Sequence, residues 1–166
     1  MSTKDLQNDD AVAKIKSLAE EIDFAMLCTD LTAKPFHAIP MSTKRVDEDG
    51  AVWFLSGADS NHNANIKRDA NVELLYSHPG SMRFLIIFGD ATIHRDKEVL
   101  KSLYGSTDDA WFDGVDDPNL TAIKVAPIHA HYWDTKTNKL VAMLKMGAAA
   151  MTGIKADVSV SGKLKV

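Results

Sequence analysis

The sequence predicts an α+β fold built around an antiparallel β-barrel. Six or seven short apolar runs are joined mostly by tight-turn residues, which suits antiparallel strands. Helical segments fall between them irregularly and not after every strand, which argues against a doubly wound parallel sheet. One stretch, Ala51–Ile66 (AVWFLSGADSNHNANI), organises the rest: an apolar strand, a turn through Ser56-Gly57-Ala58-Asp59, and a helix opened by Ser60.

In chain order, residues 1–8 are expected to fray, and Asp9 or Asp10 caps a helix over Ala11–Ile22. Val12, Ile15, Leu18, Ala19 and Ile22 there repeat at helical spacing. Phe24–Thr29 is an apolar strand. Pro35–Arg45 is a second, in which Pro40 demands an edge or a bulge because it has no N–H to donate. Asp47-Glu48-Asp49-Gly50 is a hairpin signal, so Ala51–Ser56 is expected to pair back on Pro35–Arg45. Ser60 then caps a helix of about ten residues, with apolar Ala64 four positions on. Val72–Ser77 is a strand, His78-Pro79-Gly80 a turn, and Met82–His94 a long strand with Gly89 at a bulge. Asp96 caps Lys97–Tyr104, whose Val99, Leu100 and Leu103 face inward. Gly105–Leu120 is polar except for Trp111-Phe112. Thr121–Ala126 and Ala130–Trp133 are strands, Lys139–Leu144 closes a hairpin over Thr135–Asn138, and Met146–Met151 is a short helix or turn. The expected division is one domain over residues 1–153 and a polar, poorly ordered tail over 154–166.

The chain has 166 residues, 45% hydrophobic and 25% charged, enough for a core without staples. Nineteen basic and 23 acidic residues give a net charge of −4 with no basic block, so nucleic-acid binding, which needs clustered cations, is not expected. A single cysteine, Cys28, excludes an intrachain disulfide framework and a cysteine-based zinc site. The polar, acidic start is unlike a signal peptide and no apolar run is long enough to cross a bilayer. A cytoplasmic protein without a membrane partner is expected.

Helix starts offer free amides to anions, and Ser60 with His62 beside it suits a phosphate, although most such serines only cap. His129 and His131 alternate on one strand face, a spacing that serves a metal only with a third ligand that the sequence does not supply nearby. The pairs Asp108-Asp109 and Asp116-Asp117 read as solvated loop charge, and Cys28 as a buried, inert thiol. His37, His78 and His94 are scattered. Trp111 and Phe112 are costly to leave in water, since each can bury ~150–250 Å²; they plug the domain's own core, or cover a flat ligand or a partner subunit.

Val52-Trp53-Phe54-Leu55-Ser56, then Ser60 and His62, resemble the pyridoxamine 5′-phosphate oxidase-like split-barrel flavoproteins, and more narrowly the general stress protein 26 branch. Further matching blocks are His37-Ala38-Ile39-Pro40-Met41, Gly89-Asp90-Ala91 with Arg95-Asp96, Trp111-Phe112, Asp116–Leu120, Tyr132-Trp133-Asp134 and residues 145–153. The resemblance implies a six-stranded antiparallel split β-barrel (Greek key) with flanking helices, and a homodimer holding FMN, or FAD, between subunits. It implies that backbone from Ile39, Pro40, Met41 and Ser42 lines the isoalloxazine, and that Leu55 and Ser56 meet the ring or ribityl chain. Ser60, Asn61 and His62 would surround the phosphate, and Trp111 would reach the partner's flavin. Two positions depart from the branch: Ile39 stands where arginine is usual before Pro-Met, and His62 where lysine is usual. Each loss removes a charge suited to a phosphate. The C-terminal Ser159–Val166 lacks the arginine of the vitamin B6 oxidase, which excludes a typical pyridoxamine 5′-phosphate oxidase. The expectation is a flavin-binding stress protein, with flavin-dependent oxidoreduction of an unidentified substrate as its candidate activity and no catalytic side chain or metal assigned. The alternative is a split-barrel dimer that has lost flavin and acts as a binding or regulatory module.

Overall fold

The structure is a computed structural model and describes residues 2–135, 146 and 159–166. The expected hairpin strand Lys139–Leu144 and, apart from Met146, the short helix Met146–Met151 lie outside the described residues. The elements are β1 (Ser2–Thr3), β2 (Leu6–Gln7), α1 (Asn8–Ile22), β3 (Phe24–Thr29), β4 (His37–Ser42), β5 (Arg45–Val46), β6 (Val52–Gly57), α2 (Asn61–Arg68), β7 (Asn71–His78), β8 (Arg83–His94), α3 (Lys97–Leu103), β9 (Leu120–Thr135) and β10 (Ser159–Lys165).

The α+β class holds, but the sheet differs from six antiparallel strands: it has ten and is mixed. Successive pairs β4–β3, β3–β7, β7–β8, β8–β9 and β9–β6 are antiparallel. Strand β10 adds antiparallel to the far half of β9, and β1 and β2 pair with β10 in parallel. Residues 2–7 are therefore not frayed, and 159–165 are not a loose tail. The polar composition of both segments hid a mutual pairing that neither could form alone.

Strand β6 is buried on both faces, which is why its sequence is uniformly apolar and not alternating. Val52 and Phe54 enter the main core with Ile15 and Leu18 of α1 and Ile123 and Val125 of β9. Trp53 and Leu55 face the other way, onto Leu100 and Leu103 of α3 and Leu120 and Ala122 of β9. Its pairing departs from expectation. The Pro35–Arg45 segment breaks after Ser42, and β6 pairs only with the short β5, through Arg45 and Val46, and along its length with β9. Among the described residues strand β4 is an edge, bonded to β3 alone, as suits Pro40.

The Asp47–Gly50 turn forms as expected, with Gly50 at φ +79°. Helix α1 begins at Asn8, earlier than expected, because pairing of Leu6 and Gln7 with β10 delivers the chain directly into the helix. Asp9 and Asp10 lie in its first turn, where they favour the positive end of the dipole. Asp96 caps α3 through the amides of Glu98 and Val99. The two expected strands after Leu120 are one 16-residue strand. Its pairing with β8 slips between Phe88 and Gly89, where Pro127 faces Gly89 and Ile128 has no opposite residue. A bulge thus carries β9 past its proline without ending it. Among the described residues, no helix is long and apolar enough to cross a membrane.

An ideal Cβ on Gly89 would lie 2.2 Å from the backbone oxygen of Ala126, and backbone cannot step aside as a side-chain tip can. Gly89→Ala is expected to lower the unfolding free energy by about 2–3 kcal/mol through overpacking, read as a lower urea midpoint at unchanged slope.

Candidate functional site

The site is built where β6 hands the chain to α2 beside the start of β4. Ser60 caps α2: its Oγ accepts from the Asn63 amide at 3.2 Å. The amides of Asn61 and His62, the first two of the helix, have no intrahelical acceptor available to them. The buried face of the helix carries Asn63 and Ile66, and the Ala64 singled out by the sequence is exposed. Asn63 is wholly buried because its amide is satisfied: the Ser56 hydroxyl donates to Asn63 Oδ1 at 2.8 Å and Asn63 Nδ2 donates to Thr121 Oγ1 at 2.9 Å. Thr121 Oγ1 in turn donates to the Ser56 carbonyl at 2.8 Å. This closed network fastens the first turn of α2 to β6 and β9. It also turns the Ser56 hydroxyl inward.

His62 points toward β4. Its ring lies 6.5 Å from that of His37, nearly parallel at 18°, and its Nε2 is buried without a hydrogen-bond partner. Burial first, and the neighbouring His37 second, pull the His62 pKa down to about 4, so the imidazole is neutral at physiological pH. His37 Nδ1 lies 3.5 Å from Thr29 Oγ1, which accepts from Asn65 Nδ2 at 3.0 Å. Of the β4 residues, Ile39 and Met41 turn to the core and Pro40 is exposed on the outer face. Ser42 donates to Asp23 Oδ1 at 2.8 Å. The backbone edge of β4 away from β3 has no strand partner among the described residues.

The two cations that follow β4 are engaged elsewhere. Lys44 is held by Asp108, and Arg45 Nε donates to Asp47 at 2.7 Å. The pairing with Asp108 anchors the loop that carries Trp111 and Phe112. There the two aromatics part company: Phe112 packs partly buried on the cluster around Trp53 and Leu100, whereas Trp111 is 82% exposed. Leu55 is buried in that same cluster. The structure therefore brings His37, the β4 edge, Ser60, Asn61 and His62 to one place, while Trp111 stands free of ring contacts.

His129 stacks on Phe88 at 6.4 Å and His131 lies 4.4 Å from Trp133, on the outer sheet face. Among the described residues, no group of three or more potential metal ligands gathers. Phe24 and Met26 are exposed on the outer face of β3, opposite Ser42 and Pro40 of β4. Cys28 is buried, and desolvation, then Glu73, pushes its thiol pKa up. Sequence reasoning missed Asn63 and Thr121, and it left His37 among scattered histidines. The capping position offered a signal for Asn63, since the third residue after a cap faces back into the protein; nothing in the spacing linked residues 37 and 62.

A pyridoxamine 5′-phosphate oxidase-like family model matches residues 10–157, and the chain belongs to that family. Its fold is that of general stress protein 26 structures. A candidate general stress protein 26 from Jannaschia sp. CCS1 is 20% identical, with a TM-score of 0.77 over 96% of this chain and 99% of that one. General stress protein 26 from Bacillus anthracis is 21% identical, with a TM-score of 0.65 over 73% of this chain and 92% of its own. A general stress FMN/FAD binding protein from Xanthomonas citri is 24% identical, with a TM-score of 0.65 over 77% and 90%. No curated protein matches the chain.

Asn63→Ala strands the Ser56 and Thr121 hydroxyls in the interior and is expected to destabilise by about 1–3 kcal/mol, measured by chemical denaturation. His62 has a lower pKa folded than unfolded, so the unfolded chain binds more protons between pH 6.5 and about 4, and stability falls as pH drops through that window. His62→Gln removes this response. The difference between pH 7 and pH 4.5 in unfolding free energy should shrink by about 1–2 kcal/mol in the variant, a figure reduced for partial solvent exposure.

Proposed function

We propose that this chain is a flavin-binding protein of the stress-protein branch, cytoplasmic and homodimeric, that holds FMN or FAD in the seam between two barrels. The observation that carries the reading is the cluster at the mouth of α2: two free amides and an orphaned, buried imidazole nitrogen beside an unpaired strand edge. A buried polar atom without a partner costs about 1–3 kcal/mol, and with the proton on Nε2 a phosphate oxygen is the acceptor that nitrogen would take. The likeness to the Xanthomonas citri FMN/FAD binding protein points the same way.

In this reading Asn61, His62 and Ser60 surround the phosphate. The open edge of β4 from Ile39 through Pro40 and Met41 to Ser42 offers backbone groups to the flat ring. Leu55 and Ser56 shape the floor behind the ring, Leu55 by bulk and Ser56 by holding α2 in place. The exposed Phe24 and Met26 supply apolar area for the second copy, and Trp111 reaches across to cover the partner's flavin. When bound, the flavin supplies hydride or electron transfer; the chain supplies position, an apolar wall and exclusion of water.

A second reading has its own support. With His62 neutral, and Lys44 and Arg45 committed to carboxylates, the site lacks the fixed cations that flavin phosphate ordinarily meets. A dimer without flavin, serving as a binding or regulatory module, fits that deficit.

Titration of the purified chain with FMN, followed by flavin fluorescence and visible absorption, separates the two. The flavin reading expects saturable quenching with a shifted absorption band, and a dimer in sedimentation equilibrium. A dimer that leaves FMN fluorescence unchanged sustains the module; a monomer at micromolar concentration overturns both.

A further inference from the structure

The flavin reading leaves a charge problem, since a phosphate is dianionic above its second pKa of about 6 and its cradle has no fixed cation. Lys44 is held by Asp108, Arg45 by Asp47, and Arg68 by Asp30 and Asn65. Lys67 lies in the last turn of α2, at the end away from Ser60. Lys34 is exposed in the loop that enters β4, three residues before His37. At the mouth itself two imidazoles meet, one from β4 and one from α2, with nearly parallel rings 6.5 Å apart.

We propose that His37 and His62 together form the phosphate grip of this site, and that it closes by taking up a proton from solvent as the phosphate of FMN arrives. The proposal rests on the flavin reading above. In the free protein two imidazolium ions side by side would repel each other, and burial penalises the charge further, so His62 stays neutral. A dianion seated on the amides of Asn61 and His62 reverses both terms: it offsets the repulsion and gives the charged ring a partner. The balance is simple. Neutral imidazole, a proton from solvent and the phosphate dianion become an imidazolium–phosphate pair, with no covalent bond made or broken.

The surroundings leave the pair to set this response. Burial first, and the charge of His37 second, lower the His62 pKa. On the elements packed against α2, Asp30 after β3 is taken by Arg68, Asp90 of β8 is exposed, and the ring of His94 at the end of β8 lies tilted against Trp53 at 5.0 Å. Glu73 of β7 acts on Cys28. Asp59, just before the cap, is exposed and adds a like charge near the phosphate. Its presence makes a protonated imidazole more necessary. A lysine at position 62 would grip phosphate at any physiological pH; the histidine pair makes the grip stronger in acid than in base.

Isothermal titration calorimetry of the full chain with FMN, in two buffers of different ionisation enthalpy at pH 7.5 and again at pH 6.5, reads the proton directly. Riboflavin, which lacks the phosphate, is the control. The expected result is net proton uptake on binding FMN, larger at pH 6.5 than at pH 7.5, and none with riboflavin. FMN affinity should rise by up to about tenfold for each unit of pH lost between 8.5 and 7.5. His62→Gln should abolish the uptake, His37→Gln should weaken FMN more than riboflavin, and His62→Lys should bind FMN tightly with no uptake and little pH dependence. Circular dichroism establishes that each variant is folded. FMN binding to the wild-type chain without proton uptake, or uptake that survives in His62→Gln, overturns the histidine grip and leaves the flavin reading standing. If neither FMN nor riboflavin binds the wild-type chain, both fall.

Discussion

Both faces of β6 are covered, and most of the architecture is the means of covering them. One face needs the barrel interior, which α1 fills with Ile15 and Leu18; the other needs α3 and the start of β9. A strand that cannot expose either face to water has one position in the fold. Its last residues, Leu55 and Ser56, are then fixed, and so is the direction in which the chain leaves toward α2. The Ser56–Asn63–Thr121 network completes the constraint in polar currency, since three buried groups that satisfy one another allow a single arrangement of helix against sheet. The first turn of α2 is held by the core itself.

That rigidity bears on what the site can do. Free amides at the start of a helix attract anions only when they converge, and the network keeps those of Asn61 and His62 together. The imidazole of His62 is placed by the same turn, 6.5 Å from that of His37, whose charge adds to burial in lowering the His62 pKa. On the flavin reading, histidine at position 62 in place of lysine changes how charge is supplied to the phosphate. Ile39 makes the matching change on β4 by turning an apolar side chain to the core where arginine is usual.

The sequence carried the elements with the strongest local chemistry. Gly50 at a positive-φ turn, Gly89 at a bulge, Asp96 and Ser60 as caps, and Pro40 on an edge strand were all readable, because each is a steric or hydrogen-bonding demand of one residue on its neighbours. What local chemistry does not encode was missed. The N-terminal residues pair only with β10, which itself pairs with β9; β6 meets the preceding segment only at Arg45 and Val46 and runs along β9; and Pro127 sits within a continuous strand because a residue 38 positions earlier is glycine. In the site, the helix start and His62 were legible from the cap, whereas the His37 pairing and the Thr121 tie depend on separations of 25 and 58 or more residues. The exposed Trp111 and half-covered Phe112 show the limit from the other side: composition required aromatics to find cover, and only one of them does so within the chain.

The parallel seam of β1 and β2 with β10 ties residues at opposite extremes of the numbering, down to the bond from the Lys163 amide to Asp5, 158 positions away. Closing a loop of that length rewards the chain only after the intervening sheet exists. The two short ladders cover the edge of β10 that β9 leaves open. An uncovered strand edge is a template for another strand, and here four paired positions at the chain's two ends are what cover it.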